Sequence, residues 1–181
     1  MKDRIKSGIY GIFVLWGVLW LAFLPTLAAQ YISAGLTKSI SGGRRSEIET
    51  GVCFAVGLFF AIALLIFFYF KDGEKSRGRL LSFSDIAVRT AIPVAVHFGF
   101  TVLSKNLFPL SVIDSFAIQL LNSDYETWSG KFEIKSCILP ALLCAVIYAL
   151  AIAGGTLLGM RHHRKMAEKL KSEHAVFTKG A

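Results

Sequence analysis

The segment Asp85–Lys105, DIAVRTAIPVAVHFGFTVLSK, is apolar over most of its length. It differs from the other long apolar segments of the chain in carrying ionisable groups inside its span, Arg89 and His97. The remaining three, residues 8–32, 51–70 and 137–160, contain no Lys, Arg, Asp, Glu or His. At ~1.5 Å per helical residue, about 20 residues cross a ~30 Å hydrocarbon core. Each segment is long enough, and residues 85–104 make the fourth. Lipid alone explains the three uncharged spans. It does not explain the third in chain order.

Helical geometry gives that span two sides. With Arg89 set at 0° and ~100° per residue, Asp85 falls near ~320°, Pro93 near ~40°, His97 near ~80°, Thr90 near ~100° and Thr101 near ~120°. Val88, Ala91, Ala95, Phe98 and Val102 cover the opposite side. Asp85, Arg89, Pro93, His97 and Thr101 therefore form a candidate intramembrane polar site. Depth separates its members. Arg89, about one turn from the start, can snorkel to the interface or pair with Asp85 four residues earlier. His97 lies ~18 Å along the axis and cannot reach water that way. Pro93 removes the amide that would bond the Arg89 carbonyl and favours a kink between the two. An intramembrane ionisable residue is by default a functional candidate. The bland alternative is a neutral histidine bonded across a helix interface, to Tyr148, Thr156, Thr26 or the Gln30 amide.

Working outward, the chain has 181 residues, 54% hydrophobic and 18% charged, with a formal net charge of +8. Its Lys and Arg residues stand in short blocks beside apolar runs, which suits anionic lipid headgroups and insertion orientation rather than nucleic acid. Thirteen of the twenty lie in segments 1–7, 71–84 and 161–181, and six in 33–50 and 104–136. Four spans put the first three segments on one side. The positive-inside rule makes that side cytoplasmic, so both termini are expected there. A basic start followed by an apolar run and Pro25-Thr26-Leu27-Ala28 resembles a cleavable signal, but the run continues beyond those residues and a retained first helix is expected.

Between the third and fourth spans, residues 109–121 carry Ile113, Phe116, Ala117, Leu120 and Leu121 at helical spacing. Ser111, Asp114, Ser115 and Gln119 fall on another face. The segment is too short to cross, which predicts an interfacial or re-entrant amphipathic helix. The fourth span carries small residues at four-residue spacing, including Ala145, Ala149, Ala153, Gly155 and Gly159; such rows pack helices closely, within a bundle or against a partner. The basic tail 161–181 reads as a helical extension. Cys53 and Cys137 are expected at the same outer end, where a disulfide can form.

The sequence thus predicts an all-α, four-transmembrane-helix bundle in one integral membrane domain, residues 1–181. It contains no phosphate-binding loop, zinc-protease or serine-hydrolase motif, and neither a metal nor a cofactor is expected. The leading functional reading is an accessory or complex-forming subunit of the cytoplasmic membrane, with anionic headgroups and either a second copy or another membrane protein as partners, and no nucleic acid. Small size and strong charge asymmetry point to a bacterium. A transporter or channel-like protein using the third helix is the alternative. An enzyme acting on lipid-linked substrates through His97 and the acids Asp114, Asp124 and Glu126 ranks third.

Overall fold

The computed structural model describes residues 2–39, 42–75, 82–103, 112–121 and 134–179. These form five helices: α1 (Lys2–Leu36), α2 (Gly42–Lys75), α3 (Phe83–Leu103), α4 (Val112–Leu121) and α5 (Ile134–Lys179). Four of them, α1, α2, α3 and α5, are long and apolar enough to cross a membrane. The all-α four-helix bundle with a short helix between the third and fourth spans is the architecture that the hydropathy predicts.

Three of the spanning helices overrun their apolar segments, at 35, 34 and 46 residues. Local hydrogen bonds carry them into polar sequence. Thr37 Oγ1 donates to the Ser33 carbonyl at 2.7 Å and Ser33 Oγ to the Gln30 carbonyl at 3.1 Å. Glu49 Oε1 accepts from Thr37 and from Arg45 Nε (2.8 Å), tying the start of α2 to the end of α1. The polar region 33–50 is therefore mostly helix, with only a short connection. α5 continues without a break from the apolar span into the basic extension, which is exposed along Arg161–Lys171.

α1 packs against α2 and α3, and α5 packs against the same two, so the four long helices form a ring. Leu15, Val18 and Ala22 of α1, Ala61 and Leu65 of α2, and Tyr148 and Ile152 of α5 fill its centre. Tyr10, Phe13, Trp20, Leu24, Phe59 and Leu150 point outward, which suits lipid. Gly11 of α1 meets the Tyr69 side chain, and Gly159 of α5 meets the Phe70 carbonyl, near the C-terminal end of α2. The start of α1 and the C-terminal part of α5 therefore lie at that end of the bundle, which carries Lys71, Lys75, Arg161 and Arg164; we call it the basic end.

The small residues of α5 are spent on this packing. A Cβ at Gly155 would lie 2.8 Å from the Ile66 carbonyl, and one at Gly159 would strike that of Phe70. Ala145 is buried, and Ala149 and Ala153 are half-buried. The Gly155–Gly159 row lets α2 and α5 approach backbone to backbone.

α4 enters the ring at the opposite end. Its Ile113 side chain fills the space beside Gly57 and Thr26, whereas its Leu120 lies beside Gly51, nearer the beginning of α2. α4 therefore runs antiparallel to α2, with its N-terminus pointing into the bundle. Ile113, Asp114 and Ala117 are buried, so of the two placements predicted for this helix the structure adopts the re-entrant one. Gly57 makes the seat possible: a Cβ there would lie 2.5 Å from Thr26 Oγ1 and 3.0 Å from Ile113 Cγ1.

Candidate functional site

The site is built where α3, α4 and α5 meet. α3 starts with Ser82 as the N-cap and one half of a capping box: the Asp85 carboxylate accepts the Ser82 backbone amide at 2.9 Å and its hydroxyl at 3.0 Å. Ser82 is three residues before the carboxylate, the spacing that a capping box requires. Asp85 thus orders the helix start. Arg89 pairs across helices, Nη1 to Asp72 Oδ2 at 2.6 Å. That contact joins the end of α2 to the first turns of α3, with the Tyr69 hydroxyl donating to the Gly11 carbonyl at 3.5 Å close by.

Two turns further along, His97 is 2% exposed and lies against Asp114 of α4, which is 3% exposed. His97 Nε2 and Asp114 Oδ2 are 2.7 Å apart. The other carboxylate oxygen accepts from the Tyr148 hydroxyl of α5 at 3.4 Å. Tyr148 also packs edge-on against the imidazole, with ring centroids 5.6 Å apart. Cys144, one turn earlier on α5, adjoins the same carboxylate. Asp114 stands in the first turn of α4, where the positive end of the helix dipole favours a carboxylate. A buried carboxylate is costly unless hydrogen-bonded and paired, and here α3 and α5 supply the partners.

Asp114 is the residue that completes the site. The sequence placed it on the polar face of a short amphipathic helix; the structure buries it together with Ile113 and Ala117. Asp124 and Glu126 lie outside the described residues. The Thr26 and Thr156 hydroxyls, other candidates for His97, donate instead to their own helices, to the Ala22 carbonyl at 2.7 Å and the Ile152 carbonyl at 2.9 Å.

That habit makes a contrast on α3. Thr90 Oγ1 and Thr101 Oγ1 are buried and have no hydrogen-bond partner among the described residues, and neither does His97 Nδ1. Threonine in a helix normally satisfies its hydroxyl on the i−4 carbonyl, as Thr26 and Thr156 do. Thr90 and Thr101 flank His97 on the same stripe, within ~40° of it on the helical wheel. The three unpaired atoms run along ~16 Å of helix, from just beyond Arg89 toward the far end of α3. Buried polar groups without protein partners are rare, and they are the places where water or a ligand is accommodated. Trp16 Nε1 on α1 is also buried without a partner, its ring edge-on to Phe100 of α3 at 5.6 Å.

The five residues singled out from the sequence therefore divide. Asp85 caps, Arg89 pairs with Asp72 near the basic end, and Pro93 is buried against Gly11 of α1. His97 and Thr101 belong to the stripe, with Thr90 added. Among the described residues no cluster of three or more His, Cys, Asp or Glu side chains could hold a metal ion. Cys53 is buried and free, and the Cys137 side chain lies outside the described residues. Comparison with protein-family models, curated proteins and solved structures found no match to this chain.

Proposed function

We propose that the chain is a multi-pass transport protein of the cytoplasmic membrane, with both termini in the cytoplasm, that passes a small polar species along the inward face of α3. One observation carries this reading: a stripe of buried, unpaired polar atoms on a spanning helix, centred on the His97–Asp114 pair. A structural clasp between α3 and α4 accounts for the pair, but it gives no reason for unpaired hydroxyls on either side of it. The accessory-subunit reading drew on the small-residue row of α5, and α2 of the same chain occupies Gly155 and Gly159. The exposed basic residues of Arg161–Lys171 suit anionic headgroups at the cytoplasmic surface.

The reading requires water along the stripe. Cysteines placed singly at Thr90 and Thr101, with the three native cysteines replaced by alanine, should react with a small charged thiol reagent in membranes. Cysteines at Ala91 and Ala95, which are exposed on the outer side of α3, should not. Equal inertness at all four positions would mean that the stripe is dry and that the reading is wrong.

A further inference from the structure

We propose that the species moved along α3 is the proton itself, relayed through the His97–Asp114 pair, rather than a metal ion or an organic solute. This rests on the reading of the α3 stripe as a path and names what the path carries. The chemistry of its unpaired groups selects the permeant. A threonine hydroxyl both donates and accepts, and a neutral imidazole donates from one nitrogen while accepting at the other. Such groups pass a hydrogen-bond chain onward in either direction. A sodium or potassium ion needs several oxygen ligands at one level to replace its hydration shell. The two hydroxyls of the stripe are eleven residues apart, ~16 Å along the axis, and cannot share one ion. An organic solute needs convergent polar groups in a cleft. The core beside the stripe is instead close-packed Leu15, Val18, Leu65, Ile113 and Ile152, each no more than 1% exposed.

The relay balances. The 2.7 Å contact between Nε2 and Oδ2 holds one proton. When Nε2 donates to the carboxylate, Nδ1 keeps a free lone pair, and it is the atom of the ring left without a partner. A proton arriving along the stripe from the Thr90 side adds to Nδ1. The proton between Nε2 and Oδ2 then passes to Asp114 and leaves from its carboxyl group into the chain on the Thr101 side. Rotation of the imidazole, or proton exchange at its two nitrogens, restores the starting tautomer. One proton enters and one leaves. The intervals from His97 to Thr90 and to Thr101, ~10 Å and ~6 Å along the axis, are lengths that a few bridging waters span.

The full-length protein in proteoliposomes, with a pH-sensitive dye inside and a potassium diffusion potential set by valinomycin, tests this. The dye should report proton entry above that of protein-free vesicles, unchanged when external sodium is exchanged for choline or chloride for gluconate. His97→Gln should abolish the flux. Thr90→Val and Thr101→Val should each lower it about tenfold, the factor that goes with one lost hydrogen bond. Because each valine keeps the shape and removes a hydroxyl that has no partner, the melting temperature in detergent should stay the same or rise, which separates a conduction role from a packing one. Wild-type flux in both valine variants would overturn the proposal. So would the absence of proton flux from vesicles that pass another small polar species in a stopped-flow swelling assay; the path would then stand with a different permeant. Failure of both fluxes, with unreactive cysteines on the stripe, would remove the path as well.

Discussion

Removing the Asp114 side chain is the perturbation whose size follows most directly from the structure. Asp114→Ala leaves His97 Nε2, 2% exposed, and the Tyr148 hydroxyl, 0% exposed, without their acceptor. A buried group left unsatisfied costs about 1–3 kcal/mol, and breaking one side of a buried charged pair about 3–5 kcal/mol. His97→Ala should cost a similar ~3–5 kcal/mol, since the carboxylate loses its 2.7 Å contact with Nε2. In the double variant neither group is left facing a missing partner. Its loss should fall short of the sum of the singles by about 2–3 kcal/mol. An ordinary interhelical hydrogen bond in a membrane protein contributes only ~0.6 kcal/mol, so the cycle distinguishes the two cases. Unfolding in mixed micelles against rising dodecyl sulfate, followed by circular dichroism, gives the four stabilities. Additive losses within ~0.5 kcal/mol would refute the claim that the two side chains form one coupled buried unit.

Other consequences concern the packing that positions this unit. Gly57→Val should lower stability by about 1–3 kcal/mol, because Thr26 and Ile113 occupy the space its side chain needs; an unchanged unfolding midpoint would argue against the close seat of α4. Two glycines of α5 should differ in sign. Gly159→Ala drives a methyl group into the Phe70 carbonyl and should destabilise by about 1–3 kcal/mol, whereas Gly154→Ala has nothing within 4 Å and should be neutral or stabilising by up to ~1 kcal/mol. If both lower the melting temperature equally, the α2–α5 contact is misjudged. Arg89→Asp should lower stability by about 0.5–2 kcal/mol, and adding Asp72→Arg should recover most of it; no recovery would mean that the pair at the basic end is incidental.

The fold class could be read from four uncharged or nearly uncharged apolar runs, and α4 from apolar residues at helical spacing over a length too short to cross. Both signals are local, and local signals survive folding. What could not be read was where polar partners come together. Arg89 has a carboxylate four residues away in Asp85, the pairing that helical spacing suggests, yet Asp85 is held by Ser82 and the partner is Asp72 on another helix. For α4, amphipathicity reports only that its two faces differ. Which face turns inward depends on the space left by Gly57 and on a partner for Asp114. One clue was present in the sequence: His97 lies deep inside a spanning segment, and Asp114 is the one charged residue of 109–121. Matching them by elimination would have found the site. The helices run past the predicted spans for a simpler reason. Ser33, Thr37, Arg45 and Glu49 are polar, but hydrogen bonds among them extend the helices beyond lipid-compatible sequence.

The central claim is that His97 is held by Asp114 through one nitrogen and meets water through the other. Nitrogen-15 solid-state NMR of histidine-labelled protein in lipid bilayers, with magnetisation transferred from water protons, reads both at once. The His97 signals can be identified by their loss in His97→Gln. The account predicts a protonated Nε2 shifted by a strong hydrogen bond that disappears in Asp114→Leu, together with water transfer to an unprotonated Nδ1. An Nδ1 that is protonated and receives no magnetisation from water would contradict it.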